Sequence, residues 1–316
     1  MRDTRIQKVL SEQGLCSRRA AEQIIEEGRV TLNGRPVHLG DKMDTQKDLL
    51  AVDGQNVYIP KKTEYYYYML HKPRGYVTTM SDERGRKTVV DLLEGTPVRV
   101  YPIGRLDKDS EGLLLFTNDG DFANLLSHPS HEVSKTYRVT VHPRAEEQQL
   151  VDLSNGVVLD DGVRTRPAVI HVAADEPERT VMEITIKEGK NRQIRRMCDA
   201  VGLEVARLRR VSYGPVRLGM LQPGKYRELT PAEVSALRAS AKKAADQQKS
   251  EKNAEAAAAP KTRTPRDGKG TSYTEGPRSG EHSPRSGGSR RAPSGDERKT
   301  SRGGRPVGGA GTTHKK

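Results

Sequence analysis

The fold of this chain is decided by one stretch, Gly104-Arg105-Leu106-Asp107-Lys108-Asp109-Ser110-Glu111-Gly112-Leu113-Leu114-Leu115-Phe116-Thr117-Asn118-Asp119-Gly120. Its apolar run, residues 113–116, is too short for a helix and is typical of a buried strand. An acidic turn, residues 104–112, precedes the strand and carries Asp107. Because a buried strand fixes this turn and partly desolvates it, a carboxylate placed there can do chemistry.

Three interpretations of the acidic turn are open on these residues alone. Asp107, Asp109 and Glu111 alternate as at the start of a calcium loop, although the twelfth position carries Asn118 where such a loop has Glu. The second interpretation is a solvated turn without chemistry. The third is a catalytic carboxylate at Asp107.

Most of the positive charge lies in the C-terminal part of the chain. The 316 residues carry a formal net charge of +13, which indicates a polyanionic partner. Residues 239–316 contain 18 Lys and Arg against 8 Asp and Glu, so they hold +10 of the excess. The preceding residues hold only +3, so the folded part must bind a polyanion through local patches.

Cysteine use and hydropathy indicate a cytoplasmic protein. The two cysteines, Cys16 and Cys198, show neither metal-ligand spacing nor a disulfide framework, which fits a reducing cytosol. No run approaches the ~18 apolar residues that a membrane span needs, and the N-terminus has no signal-peptide core. We therefore expect no membrane association.

Residues 2–60 are predicted to form a small module of two helices and a hairpin. Residues 4–13 have apolar side chains at helical spacing, and Ser17 is a plausible N-cap for a second helix that Gly28 ends. The Asn33-Gly34 pair predicts the hairpin. The exposed basic side chains of the module, which are candidate RNA contacts, would be Arg5, Lys8, Arg18, Arg19 and Arg29.

The residues of this module follow a recognisable pattern. Three segments carry it: Arg5-Ile6-Gln7-Lys8-Val9-Leu10, Gly14-Leu15-Cys16-Ser17-Arg18-Arg19 and Gly28-Arg29-Val30-Thr31-Leu32-Asn33-Gly34. They resemble the small RNA-binding module named after ribosomal protein S-four. The resemblance implies that the helix face with Arg18 and Arg19 lies against folded RNA.

Residues 64–238 mix strands and helices without a regular βαβ alternation, so we predict an α+β domain. Apolar or alternating runs predict strands that include residues 65–70, 135–141, 157–173 and 180–186. A helix after Gly189 has Arg192, Arg195 and Arg196 near its N-terminal end, where the helix dipole disfavours cations. Either these side chains form a solvated face, or a carboxylate or phosphate lies beside them. Thr230 and Pro231 begin a closing helix at residues 230–239.

Residues 240–316 are predicted to be disordered. They pass from an Ala/Lys-rich stretch into repeats of Arg, Gly, Ser and Pro, with too little hydrophobicity for a core. The segment would act either as an electrostatic tether to RNA or as an inert solubilising tail.

A second pattern runs through Gly104-Arg105-Leu106-Asp107, Lys135-Thr136-Tyr137 and residues 189–196. Together with the N-terminal module, it is similar to the RsuA/RluB branch of the RNA pseudouridine synthases, over residues 2–238. The resemblance implies a mixed, mainly antiparallel sheet and a catalytic Asp107, with Tyr137 and Arg195 as further site residues. Lys72 matches the Lys of the family's Lys-Pro-x-Gly turn. The reaction that this family catalyses needs no cofactor and no metal.

The implied activity is the isomerisation of a uridine in ribosomal RNA to pseudouridine. The motif sequences are most similar to the RluB type, which implies RNA of the large ribosomal subunit. Asp107 would act on the ribose of a flipped nucleotide, Arg195 would pair with Asp107 and aim it, and Tyr137 would stack on the uracil. RNA contacts near the cleft would come from Lys72, Arg105, Lys190, Arg192, Arg207, Arg209 and Arg210.

Two alternatives stay open. One is a small-subunit target, and the other is a non-catalytic ribosome-assembly factor in which the acidic turn is only structural. In each case the partner is ribosomal RNA or a pre-ribosomal particle, and we expect the chain to act as a monomer.

Overall fold

The structure, a computed structural model, describes residues 2–60 and 63–258 and confirms the α+β class. In the first range the elements are β1 (Thr4–Arg5), α1 (Ile6–Glu12), α2 (Arg18–Glu26), β2 (Val30–Leu32), β3 (Arg35–Pro36), β4 (Lys42–Met43), β5 (Leu50–Val52) and β6 (Gln55–Asn56). In the second range they are β7 (Tyr67–Lys72), a 3-10 turn (Val89–Leu92), β8 (Tyr101–Ile103), β9 (Glu111–Thr117), α3 (Gly120–Ser127), a second 3-10 turn (Pro129–His131), β10 (Lys135–His142), α4 (Glu147–Asn155), β11 (Val169–Glu176), β12 (Arg179–Ile186), α5 (Gln193–Ala200), β13 (Glu204–Tyr213), β14 (Val216–Arg217), β15 (Tyr226–Glu228) and α6 (Pro231–Ala258).

The helices and the hairpin of the N-terminal module form where the sequence predicts them. The Ser17 side chain accepts a hydrogen bond of 3.1 Å from the backbone N–H of Ala20 and so caps α2. Asn33 and Gly34 both have positive φ angles, 52° and 78°, as a type I′ hairpin turn requires. Apolar side chains from the two helices and the small sheet form a core of their own: Ile6, Val9, Leu10, Ala21, Ile25, Val30 and Leu50.

A mixed sheet forms the centre of the second domain, as predicted. Its strands lie in the order β11-β12-β10-β13-β9-β7-β15, with β8 beside β9 and β14 beside β13. The pairings along this order are antiparallel, apart from β9 and β13, which run parallel. None of the described helices is long and apolar enough to span a bilayer.

Strand β9 is the strand predicted from the apolar run, and it is buried on both faces. Leu114 and Phe116 pack into one core, whereas Leu113 and Leu115 pack into a second core on the other face of the sheet. A strand that is covered on both faces has a continuous apolar run instead of an alternating one. The acidic turn therefore leads into one of the most deeply buried strands of the domain.

Gly112 allows the acidic turn to approach β13. Its φ angle is +110°, and a Cβ atom at this position would lie 2.2 Å from the carbonyl oxygen of Arg210. Only glycine permits two backbones to come so close. The end of the acidic turn is thus held directly against the backbone of Arg210.

Two elements differ from their predicted extents. Helix α6 continues to Ala258, because the residues after 239 include many Ala, Lys and Gln, which have high helix propensity. The predicted disorder therefore does not begin at residue 240, and residues 259–316 lie outside the described part of the chain. The strand predicted at residues 157–173 begins only at Val169, because a turn at Gly162 and then Pro167 interrupt the extended backbone.

Candidate active site

A cavity of about 430 Å³ opens beside the acidic turn. The acidic turn, strands β10 and β13 and the segment between β12 and α5 form its walls. Its lining includes Asp107, Tyr137 and the cationic side chains Arg105, Lys135, Lys190, Arg192 and Arg210. The structure thus brings Asp107 and Tyr137 together, as the sequence predicts, and surrounds them mostly with positive charge.

Asp107 lies half-buried at the wall of this cavity. Its carboxylate oxygen Oδ2 is 3.6 Å from Nη1 of Arg192. Its backbone carbonyl accepts hydrogen bonds from the N–H of Ser110, at 3.1 Å, and from Nζ of Lys72, at 2.9 Å. The protein therefore holds the turn through its main chain rather than through the Asp107 carboxylate.

The prediction that Arg195 pairs with Asp107 is wrong. Nη2 of Arg195 lies 3.1 Å from Oδ2 of Asp109, and its Nη1 donates to the carbonyl oxygen of Val205 at 2.9 Å. Arg192 also reaches Asp109, at 3.3 Å. Partial burial opposes ionisation of Asp109, but its own backbone N–H and the two guanidinium groups outweigh this effect and lower the pKa of Asp109. The carboxylate expected beside these arginines is therefore Asp109 for Arg192 and Arg195, whereas Arg196 pairs with Asp160 and Asp161.

The acidic side chains of the turn are held by three arginines, of which Arg192 contacts both Asp107 and Asp109. The three ion pairs are Asp107–Arg192, Asp109–Arg195 and Glu111–Arg207. Within residues 2–60 and 63–258, no group of three or more His, Cys, Asp or Glu side chains is arranged to hold a metal ion. The arrangement is that of a turn whose carboxylates form ion pairs with arginines.

The position of Lys72 does not fit the RNA contact predicted for it, because its side chain is buried and 0% of the residue is exposed. Its Nζ donates to the carbonyl oxygens of Asp107 at 2.9 Å, Ser110 at 2.8 Å and Pro73 at 3.2 Å. Burial lowers the pKa of Lys72 to about 8, although the nearby carboxylates, Asp107 first among them, oppose this shift. Lys72 is thus an internal clamp on the acidic turn.

The floor of the cavity consists of Lys135, Tyr137, Arg210 and Tyr213, from neighbouring positions of β10 and β13. The guanidinium carbon of Arg210 lies 5.9 Å from the ring centre of Tyr137 and 5.4 Å from that of Tyr213. Nζ of Lys135 lies 5.3 Å from the Tyr213 ring centre. Burial, with a contribution from Arg210, lowers the pKa of Lys135 to about 8.

The stability of the protein relative to its Lys135→Met variant should rise between pH 8 and pH 10. Below pH 8 Lys135 is protonated in both the folded and the unfolded chain, and the folded chain bears the cost of burying the charge. Above pH 8 the folded side chain loses its proton, whereas the unfolded one keeps it up to its ordinary pKa of 10.5, so this cost disappears. Urea unfolding of both proteins at pH 7, 8, 9 and 10 measures the difference. A stability difference that does not change with pH would contradict the lowered pKa of Lys135 in the folded chain.

Strand β13 divides the predicted phosphate contacts between two faces. Arg210 lines the active-site cavity, whereas Arg207 and Arg209 line a separate cavity on the opposite face, together with Arg138. Successive side chains of a strand point to opposite faces. The prediction that Arg207 and Arg209 lie at the cleft is therefore wrong.

Some of the remaining candidate RNA contacts form ion pairs or hydrogen bonds within the chain, and others are exposed without such a partner. Lys8 forms an ion pair of 3.1 Å with Asp121 of α3, and Arg29 forms one of 2.6 Å with Asp53. Nζ of Lys190 donates to a backbone carbonyl at the cavity rim. Arg5, Arg18, Arg19 and Arg105 are exposed and form no ion pair with another described residue, whereas Arg29 and Arg192 are both exposed and paired.

Sequence reasoning missed Asp109 and Lys135 as residues of the site. Lys135 is two residues before Tyr137 on β10, and residues two apart on a strand share a face. This alternation was the available signal. No comparable signal exists for Asp109, because its role depends on the place where α5 meets the acidic turn.

Comparison with known proteins agrees with this geometry. The family model described as RNA pseudouridylate synthase matches residues 66–200, and the S4 domain model matches residues 4–45. A ribosomal large subunit pseudouridine synthase B from Bacillus subtilis (strain 168) is 45% identical over 238 residues, which are 74% of this chain and 96% of that protein. The protein of the same name from Salmonella typhimurium is 40% identical over 74% of this chain and 82% of its own length.

A solved structure of a pseudouridylate synthase has the same fold. It superposes with a TM-score of 0.55 at 30% sequence identity, over 74% of this chain and all of that chain. The range that the family model matches includes the acidic turn, strand β10 of the cavity floor and helix α5. The chain therefore belongs to the RNA pseudouridylate synthase family, as an enzyme that isomerises uridine in RNA and carries an S4 domain ahead of its catalytic domain.

Proposed function

We propose that this enzyme converts a specific uridine of large-subunit ribosomal RNA to pseudouridine. The relatives from Bacillus subtilis and Salmonella typhimurium are both named for the large ribosomal subunit. Each match spans 74% of this chain, a share long enough to include the N-terminal module as well as the catalytic domain. A uridine of the small subunit is the alternative target.

Asp107 is proposed as the residue that acts on the ribose. Isomerisation breaks the C1′–N1 bond, turns the uracil and joins C1′ to C5, so that C5 loses a proton and N1 gains one. A carboxylate beside the ribose can attack it, or stabilise the positive charge that develops as the C1′–N1 bond breaks. The observation that carries the proposal is the position of Asp107 at the wall of a cavity whose other charged groups are mostly cationic.

The other site residues would position the base and the acidic turn. Tyr137 lies in the cavity floor, where its ring can stack on a uracil that has left the RNA. Arg195 would act through Asp109, which it contacts at 3.1 Å, and thereby fix the turn that presents Asp107. Arg192 is the cation nearest to the Asp107 carboxylate.

The target nucleotide must leave its stack to enter the cavity, which costs on the order of a few kcal/mol. Phosphate contacts from Arg105, Lys190 and Arg192 at the cavity would offset this cost. Arg5, Arg18 and Arg19 are exposed on the N-terminal module and would hold a second segment of the folded RNA.

Release of tritium from RNA that contains uridine labelled at C5 tests the proposal, because each isomerisation replaces the C5 hydrogen. We expect release from large-subunit transcripts at a single uridine, and none from small-subunit transcripts. Release only from small-subunit transcripts would establish the alternative target. No release from either RNA, or from subunit particles, would contradict the proposed function.

We further propose that the enzyme works as a monomer in the cytoplasm, on free RNA or on a pre-ribosomal particle. A single chain brings Asp107, Tyr137 and the surrounding cations into one cavity, so one copy can supply the site. The free thiols of Cys16 and Cys198 suit a reducing compartment. Sedimentation of the enzyme at its assay concentration tests the monomeric state.

A further inference from the structure

Two cations in the cavity floor, Lys135 and Arg210, form no ion pair with any residue that the structure describes. Arg210 is 2% exposed, and its Nε donates to the carbonyl oxygen of Leu113 at 2.7 Å. Its Nη1 reaches the Tyr137 hydroxyl only at 3.5 Å, and its buried Nη2 has no acceptor in the described part of the chain. Nζ of Lys135 donates to the carbonyl oxygen of Val133. A buried charge that is left without a counter-charge is costly.

Several arginines close to the floor are paired with carboxylates. Around it, Arg192 and Arg195 contact Asp109, and Arg207 contacts Glu111. Carboxylates thus pair with Arg192, Arg195 and Arg207, whereas no described carboxylate forms an ion pair with Lys135 or Arg210. Such uncompensated groups in a cavity are typical of sites where a ligand supplies the opposite charge.

We propose that Lys135 and Arg210 stabilise the negative charge on the uracil after it has separated from the ribose. This inference rests on the proposed function, in which Asp107 acts on the ribose and Tyr137 stacks on the base. When the C1′–N1 bond breaks, its electron pair goes to N1 and is delocalised onto O2 and O4. A base that is stacked on Tyr137 in the floor lies beside both cations.

The charge on the base is transient. It appears when the C1′–N1 bond breaks and is consumed when C5 uses an electron pair to bond C1′, after which C5 loses its proton and N1 gains one. An interaction that exists only during this interval lowers the barrier and does not strengthen substrate binding. The two cations therefore increase the rate of the reaction and do not increase the RNA affinity.

The phosphate of the flipped nucleotide is the other anion that these side chains could meet. A phosphate is charged before, during and after the reaction, so its contacts would strengthen RNA binding. The exposed Arg105 and Arg192 suit phosphates at the cavity mouth, whereas Arg210 is 2% exposed and its guanidinium lies against the rings of Tyr137 and Tyr213. Its burial favours the base.

A change of leaving group tests the inference with the variants Arg210→Gln and Lys135→Met. For each variant, the single-turnover loss of the target nucleoside is measured with uridine and with 5-fluorouridine at that position. We expect a loss of rate of about 100-fold with uridine and unchanged RNA affinity. Fluorine withdraws electrons and stabilises the detached base, so with 5-fluorouridine the loss should shrink to about tenfold.

The matched control is Arg238→Gln. Arg238 also stacks on an aromatic ring, that of Phe122 at 4.8 Å, and it pairs with Asp119 away from the cavity. Any loss of rate in this control should be the same for both bases. If Arg210→Gln does not fold, Lys135→Met still decides the question.

Three outcomes would overturn the inference. An equal loss of rate with both bases would give the cations a merely structural role, and a loss of RNA affinity at unchanged rate would assign them to a phosphate. A leaving-group effect in Arg238→Gln as well would make the effect non-specific. Failure of the unmodified enzyme to release tritium would refute the proposed function itself, so the two failures are distinguishable.

Discussion

Replacement of Asp107 by Asn is expected to stop isomerisation while the RNA still binds. The single-turnover rate should fall by at least about 10⁴-fold, as is typical when a group that acts on the reacting atoms is lost. Asn has nearly the same size as Asp, and Lys72 and Ser110 hold the turn through the main-chain carbonyl of residue 107. The substitution should therefore remove the charge and leave the turn in place.

Tritium release and RNA affinity, measured on the same preparation, separate the two effects. RNA should bind at least as well as before, because the variant removes a negative charge from a cavity that is mostly cationic. Substantial isomerisation by Asp107→Asn would end the catalytic assignment. A loss of binding equal to the loss of rate would give Asp107 a role in RNA recognition instead.

Asp109→Asn is the matched control, because it alters a carboxylate in the same turn. Asp109 holds Arg192 and Arg195, so we expect the acidic turn to become less well fixed and the rate to fall by about tenfold. Asp107 remains able to act on the ribose. A loss as large as that of Asp107→Asn would show that the two carboxylates act as one unit.

The sequence predicts the elements that local patterns determine. The continuous apolar run of β9 indicates a strand covered on both faces, and the two cores on either side of Leu113 and Leu114 explain it. Ser17 and the Asn33-Gly34 pair encode a helix start and a hairpin turn through their own backbone preferences. The presence of Asp107 and Tyr137 in one cavity is predicted by the family pattern.

The contacts between distant segments could not be predicted in the same way. Arg195 contacts Asp109 instead of Asp107. This choice depends on how α5 packs against the acidic turn, which the sequence does not specify. Lys72 resembles an exposed cation in a turn, yet β7 pairs with β9 and carries its side chain beneath the acidic turn. The spacing of residues along the sequence does not determine the distances between side chains of distant segments.

Replacement of Lys72 by Met is expected to weaken both the fold and the reaction, without a direct effect on RNA affinity. Three carbonyl oxygens, of Pro73, Asp107 and Ser110, would lose the Lys72 donor, and that of Asp107 would keep only the N–H of Ser110. An unsatisfied buried acceptor costs about 1–3 kcal/mol, and relief of the buried charge offsets part of this cost, so we expect about 3 kcal/mol of destabilisation. Because the acidic turn would shift, the rate of the folded fraction should fall by about 100-fold.

Lys190→Met distinguishes this clamp from an RNA contact in the same part of the molecule. Lys190 lines the cavity and lies at its rim, so its loss should weaken RNA binding and change stability by only about 0.5 kcal/mol. Urea unfolding, RNA affinity and single-turnover rates are measured for both variants. If Lys72 holds the acidic turn from its buried position, Lys72→Met should lower stability and rate, whereas Lys190→Met should mainly lower RNA affinity. A stable Lys72→Met variant with weakened RNA affinity would instead restore Lys72 to the RNA-binding surface, and the buried position of its Nζ beneath Asp107 would then have no part in catalysis.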